Sequence, residues 1–168
     1  MTVLTRDKIW ERIFSKEKNR LVIIPIIDDE QVGFGTVDLR LGTSFLIIQN
    51  RRIDTIDPAK DFKNTISKYQ ERVVYPIGST FILQPGQFVL GGTLEYLKIP
   101  SDLLGYVVGR SSWGRLGLVI ETSPIVHPCF MGVLTFELSN LGKSPITMYP
   151  GSRIAQLSLH TCDIDTLL

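Results

Sequence analysis

The sequence is poor in several features that would announce a function at once. It has two cysteines in 168 residues, Cys129 and Cys162, too few for a disulfide framework, and a chain of this length needs no covalent staples. No apolar run approaches the roughly 20 residues that a bilayer core demands. The N-terminal Met-Thr-Val-Leu-Thr-Arg-Asp reaches charges too soon for a secretory leader. A cytoplasmic protein without membrane contact is therefore expected. Charge of one sign is missing too: Lys+Arg 18 against Asp+Glu 17 leave a formal net charge of +1, with no global pull toward nucleic acid or anionic lipid. The two histidines leave a narrow choice of imidazole base, and no G-x-S-x-G elbow is present, which removes the usual serine hydrolase layout.

The composition is that of an ordinary globular chain, 43% hydrophobic and 21% charged, and its length is the prior for one domain over residues 1–168. Ile9, Trp10, Ile13 and Phe14 recur at helical spacing after Thr5, a candidate cap, and predict one amphipathic helix of about three turns. From Leu21 onward the pattern changes to short apolar or alternating runs broken by Gly and Pro: 21–24, 36–41, 44–48, 73–75, 80–83, 87–90, 106–108, 119–121, 133–139, 146–149 and 154–160. Many short strands at close spacing predict a mainly β barrel or sandwich. With so little helix between strands, a doubly wound nucleotide-binding sheet is excluded. The stretch from Asn50 to Arg72 is the most polar and reads as an exposed excursion, partly helical. Its charges are of both signs and only Phe62 and Tyr69 could stack on bases, so no nucleic acid partner is expected.

Two segments carry chemistry. In the first, Tyr106-Val107-Val108 runs into Gly109-Arg110-Ser111-Ser112-Trp113-Gly114-Arg115-Leu116-Gly117, an apolar strand followed by a guanidinium, two hydroxyls and room for one helical turn. That combination suits phosphate; the plainer reading is a Ser-capped turn with two surface arginines. In the second, Gly132 to Asn140 alternates so that Leu134, Phe136 and Leu138 share one face while Val133, Thr135, Glu137 and Ser139 share the other. If that second face lines a pocket, Glu137 is a candidate acid/base group; if it meets bulk water, Glu137 is an ordinary solvated carboxylate. His127-Pro128-Cys129 and His160-Thr161-Cys162 supply four zinc-type ligands, but neither the H-x-E with P-C-x-x-C pattern of zinc deaminases nor the short C-x-x-C spacing of structural zinc occurs. Zinc is not expected.

Five segments in order, Gly35-Thr36-Val37-Asp38-Leu39-Arg40-Leu41-Gly42, Leu83-Gln84-Pro85-Gly86, Gly109 to Gly117, Phe136-Glu137-Leu138-Ser139-Asn140 and Pro150-Gly151 to Gln156-Leu157, resemble the dCTP deaminase branch of the dUTPase superfamily. The resemblance covers roughly residues 5 to 160. It implies a distorted β-barrel of the dUTPase-like (β-clip) type with one N-terminal helix, a homotrimer, and sites for a pyrimidine deoxynucleotide between subunits. It further implies zinc-independent hydrolytic deamination of dCTP, or a related cytosine nucleotide, to dUTP and ammonia.

By that resemblance Glu137 moves protons while water attacks C4 of cytosine, Ser111 helps to hold the water, and Arg115 orients Glu137 and the base. The backbone around Thr122 and Ser123 reads the pyrimidine edge, Phe130 packs against the sugar, and Arg110, Ser111, Ser112 and Gln156 grip a triphosphate whose charge is shared with Mg²⁺. The chain departs from the family in three ways: His127 stands where the family carries an aspartate facing the sugar, the 118–122 segment is one residue shorter, and the residues after His160 are acidic rather than basic and aromatic. Two alternatives stay open at this point. One is a non-catalytic nucleotide-binding trimer; the other is a bifunctional deaminase and diphosphatase giving dUMP.

Overall fold

Thr5 is extended, at φ −76° and ψ 165°, and its carbonyl accepts the first helical bond from the Ile9 amide at 2.9 Å. Helix α1 (Arg6–Phe14) follows, nine residues long and so a little shorter than the sequence implied; the Thr5 side chain makes no cap bond. Ile9 is fully buried, Trp10 and Ile13 pack against the core, and exposed Phe14 stacks on Trp10 with ring centroids 5.4 Å apart. The computed structural model describes residues 1–48, 59 and 70–162. The polar stretch expected as an excursion, Phe62 and Tyr69 included, lies outside them apart from Ala59 and its end, Gln70–Arg72, which is strand.

The strands are β1 (Val22–Ile24), β2 (Val37–Ile48), β3 (Gln70–Val74), β4 (Phe81–Leu83), β5 (Phe88–Lys98), β6 (Leu103–Gly109), β7 (Leu118–Glu121), β8 (Ile125–Val126), β9 (Met131–Asn140), β10 (Ile146–Met148) and β11 (Arg153–Thr161). A 3₁₀ turn spans Asp29–Gln31, and the single turn expected after Gly109 is α2 (Ser111–Gly114). The main sheet runs β7-β9-β5-β2-β11-β6-β8, with β1 on β5 and β3 on β2, and every pairing is antiparallel. It curls into a half-barrel, and β10 and β4 form a separate pair. The mostly-β distorted barrel is thus the observed architecture, with one main helix among the described residues.

Two differences from the sequence reading have one cause. The runs 36–41 and 44–48 are a single strand, β2, and the run that seemed to end at Leu90 continues to Lys98. Gly42, Gly91 and Gly92, which look like breaks, lie where β2 and β5 press together. A Cβ on Gly42 would sit 2.8 Å from the Gly92 carbonyl oxygen, and the β2–β5 register shifts between Leu41 and Phe45. Glycine here permits a close backbone crossing rather than ending a strand. The two-residue β8 gave no sequence signal.

The core collects Leu39, Leu41, Phe45, Val89, Leu97, Leu134, Phe136, Leu138, Ala155, Leu157 and Leu159, all buried. Each large apolar side chain removed from water contributes about 1.5–3 kcal/mol. The predicted alternation of β9 is realised: Leu134, Phe136 and Leu138 point inward, and Val133, Thr135 and Glu137 are exposed. The α2–β7 junction is pinned against the end of β9. Gly117 has φ +93°, its carbonyl accepts the Leu141 amide at 2.9 Å, and Asn140 spans the adjoining turn by accepting from the Gly142 amide at 2.9 Å. Among the described residues no helix is long and apolar enough to cross a membrane.

Candidate functional site

A cleft of about 360 Å³ opens on the outward face of β9. It is lined by Thr122 and Ser123, which follow β7, by Ile125 and Val126 of β8, by His127 and Phe130 of the next turn, and by Val133, Leu134, Thr135 and Glu137 of β9. The 127–130 turn is held by the Phe130 amide donating to the His127 carbonyl at 3.2 Å. It is also tied to the 99–102 loop: the Cys129 amide donates to Ile99 and the Ile99 amide to Phe130, at 3.1 and 2.9 Å. Cys129 takes a left-handed φ of 65°, which brings His127 and Phe130 onto the same side. Five of the residues singled out in the sequence therefore meet here: Thr122, Ser123, His127, Phe130 and Glu137.

The Glu137 carboxylate is exposed and takes no hydrogen bond or ion pair from the described residues, so both its oxygens are available to a ligand or a water. Directly opposite on β7 stands Glu121. Glu137 and His127 are the titratable side chains that line the cleft.

The remaining predicted residues assemble elsewhere. Arg110 is the extended residue before α2, its amide bonded to the Ile154 carbonyl at 2.9 Å. Its Nη1 donates to Oδ2 of Asp38, whose side chain is 8% exposed. Gln156, opposite Asp38 in the β11–β2 register, donates from Nε2 to Asp38 Oδ1 at 3.0 Å. Ser111 and Ser112 are exposed on α2, and Arg115, also exposed, caps its end. Neither Ser111 nor Arg115 lines the Glu137 cleft, so within a single chain the expected partnership of these residues with Glu137 is not formed.

The sequence reading missed the network behind Arg110. Arg153 of β11 donates from Nη2 to both oxygens of Asp28 at 3.0 and 2.9 Å and from Nη1 to Asp38 at 3.5 Å. Arg40 pairs with Asp28 at 2.8 Å and lies 3.5 Å from Glu95, which is fully buried. Glu95 accepts from the Arg40 amide at 2.8 Å and from Gln31 Nε2 at 2.9 Å. Its carboxyl is pushed above the ordinary glutamate range because burial disfavours the charge, an effect the Arg40 bonds only partly offset. A signal for this network existed in Val37-Asp38-Leu39-Arg40-Leu41, where opposite charges alternate with core residues and must share one face of a strand. Among the described residues no three His, Cys, Asp or Glu side chains converge on a point that could hold a metal ion.

The chain resembles known proteins over most of its length. It is 41% identical over 162 residues to the dUMP-forming dCTP deaminase of Methanobrevibacter smithii, an alignment covering 96% of this chain and 81% of that one. It is 48% identical over 139 residues to the dCTP deaminase of Halorubrum lacusprofundi, covering 82% and 68%. Its fold matches the crystal structure of 2'-deoxycytidine 5'-triphosphate deaminase from Agrobacterium tumefaciens with a TM-score of 0.71 at 22% identity. That match covers 94% of this chain but spans only 47% of the other. The model of a dCTP deaminase-like family fits residues 3–162, and with the two sequence relatives above 40% identity it leads to one conclusion: the chain belongs to the dCTP deaminase-like family of enzymes.

Proposed function

We propose that the chain is a cytoplasmic dCTP deaminase that acts as a homotrimer, with Glu137 as its proton-transfer group and dUTP and ammonia as products. The observation that carries this reading is the separation just described. Glu137, Thr122, Ser123, His127 and Phe130 share one cleft, whereas Arg110, Ser111, Ser112, Arg115 and Gln156 lie outside it, with Glu137 exposed and unpaired among the described residues. Each set is half of a nucleotide site, and a second copy of the chain presenting the α2 side to the cleft completes it.

In the assembled site Thr122 and Ser123 offer their backbone to the pyrimidine edge and the Phe130 ring packs on the sugar. Arg110, Ser111, Ser112 and Gln156 take the phosphates. Water held by Ser111 attacks C4; Glu137 accepts its proton and Arg115 keeps that carboxylate aimed at the base. Glu137 then returns the proton to the amino group, which leaves as ammonia, so that one carboxylate serves first as base and then as acid. Exclusion of bulk water by the neighbouring subunit strengthens each of these contacts. Mg²⁺ arriving with the nucleotide would neutralise phosphate charge, a role that asks for no resident ion site, and the carboxylate bonded to Arg110 and Gln156, Asp38, is already committed to them.

A second reading, a bifunctional enzyme releasing dUMP, has in its favour the dUMP-forming name of the Methanobrevibacter smithii relative. Against it, the cleft is lined by a single carboxylate, Glu137, and His127 cannot accept as a carboxylate does. The test is incubation with Mg²⁺ and a panel of cytosine and uracil nucleotides, resolved by chromatography beside Glu137→Gln. Conversion of dCTP to dUTP by the wild type alone is expected, with the variant still binding dCTP within a few-fold, since the amide preserves shape but cannot cycle a proton. Appearance of dUMP and pyrophosphate would favour the bifunctional enzyme. Tight binding without product from any nucleotide would make the chain a non-catalytic binding trimer.

A further inference from the structure

Asp38 is a buried carboxylate on which three donors converge: Arg110 Nη1, Gln156 Nε2 at 3.0 Å and Arg153 Nη1 at 3.5 Å. Two of these, Arg110 and Gln156, belong to the proposed triphosphate set; Arg153 has no role there so far. Yet Arg153 is built into the same corner. Its carbonyl accepts the Trp113 indole N–H of α2 at 3.0 Å, and the next carbonyl, of Ile154, accepts the Arg110 amide. The backbone of β11 at 153–154 and the Arg110–Trp113 segment are therefore fastened to each other at two points.

The two guanidinium groups are about equally open, with side-chain exposures of 34% for Arg110 and 30% for Arg153, against 8% for the carboxylate beneath them. Neither is saturated. Arg110 uses only Nη1 in the described structure, and Arg153 uses Nη1 and Nη2, leaving Nε and further N–H groups for another acceptor. At this end of the network Arg110 and Arg153 share two carboxylates: Asp38 meets both, and Asp28, which also pairs with Arg40, takes Arg153 Nη2 at 3.0 and 2.9 Å. Unused planar donors on two partly exposed guanidiniums, held side by side on a buried carboxylate, are the arrangement that binds phosphate oxygens.

We propose that Arg153 is a second phosphate-binding cation of the nucleotide site, set beside Arg110 by the shared carboxylate of Asp38. The inference rests on the reading of Arg110 as a triphosphate contact. One guanidinium engages one phosphate group at a time, so two adjacent ones suit a polyphosphate tail and favour di- and triphosphates over the monophosphate. Asp38 is the positioning residue the two share: it holds Arg110 and lies 3.5 Å from Arg153, whose other side is fixed by Asp28.

The test uses inorganic tripolyphosphate as the probe, which carries no base or sugar, together with dCTP and dCMP, in calorimetric titrations of the full chain. Arg153→Met is expected to weaken tripolyphosphate and dCTP by about 10- to 100-fold, the loss of charge-assisted bonds. Its effect on dCMP should stay within about threefold, and Arg153→Lys should recover part of the loss. A parallel measurement needs no variant. In the wild type, modification of arginine by phenylglyoxal is mapped by peptide mass spectrometry, and tripolyphosphate should protect Arg110 and Arg153 together.

The inference is overturned if tripolyphosphate does not bind, if Arg153→Met binds it as the wild type does, or if Arg153 reacts equally with and without it. Failure of the deaminase reading looks different: no nucleotide is converted, while tripolyphosphate binding still depends on Arg153. Dependence on Arg110 alone would remove Arg153 and leave the phosphate corner intact.

Discussion

Replacing Glu95 by Gln perturbs the buried end of the ion network without changing its shape. The carboxylate serves two N–H donors, the Arg40 amide at 2.8 Å and Gln31 Nε2 at 2.9 Å, one on each oxygen. A glutamine has a single acceptor oxygen, so one of these donors faces an NH₂ group and is left unsatisfied, at about 1–3 kcal/mol. Arg40 also loses a buried counter-charge, a change that costs about 3–5 kcal/mol when nothing else compensates. Here Asp28 still holds Arg40 at 2.8 Å, which places the expected total near 3 kcal/mol.

Urea unfolding at pH 7 and fixed protein concentration, followed by the fluorescence of Trp10 and Trp113, should show the midpoint falling by about 1.5 M at unchanged slope. The pH dependence gives a second reading. Burial raises the folded-state pKa of Glu95 above its unfolded value, so the stability it contributes is complete below about 4.5 and is lost as pH rises through the folded value. Glutamine does not titrate. The gap between wild type and Glu95→Gln must therefore be wider at pH 5 than at pH 8. A loss below about 1 kcal/mol would refute the view that the network is a cooperative unit, and a gap that narrows toward low pH would mean that pairing with Arg40, not desolvation, governs this group.

Other predictions concern the site and its supports. Arg110→Ala should weaken dCTP by about 1.5–3 kcal/mol in calorimetry, toward the upper end because Asp38 would then face the phosphates with one cation fewer. Gly117→Ala should cost roughly 2–4 kcal/mol in thermal unfolding, since φ is +93° and the new Cβ would sit 2.6 Å from the Gly142 backbone.

What the sequence made legible is what local pattern can carry. The period-2 alternation through 133–139 placed Glu137 on the outward face, and the Gly-Arg-Ser-Ser run foretold the single turn of α2. The cleft residues Thr122 to Glu137 are near one another in sequence, so their meeting is a local matter. The ion network is not. Arg110 and Asp38 are 72 residues apart and Gln156 and Asp38 are 118 apart, and nothing in either neighbourhood names the other. Glu95 reads as a surface glutamate, as most are, and it is the donors of Gln31 and of Arg40, on a strand pressed close by Gly42 and Gly92, that make its complete burial tolerable. The same crossing hid the full lengths of β2 and β5, because glycines that end strands in most sequences here allow two to touch.

The place of β11 in the sheet orders events during synthesis. Among the described residues it is the last strand in chain order, yet it sits between β2 and β6, and its Gln156 and Arg153 complete the corner around Asp38. A nascent chain that has released everything up to Met148 possesses every residue of the Glu137 cleft, but β2 and β6 remain unpaired on their facing edges. Pairing of β11 seals both edges and brings Arg153 and Gln156 to Asp38 at the same time, so the corner around Asp38 is complete only when the sheet is joined from β2 to β6.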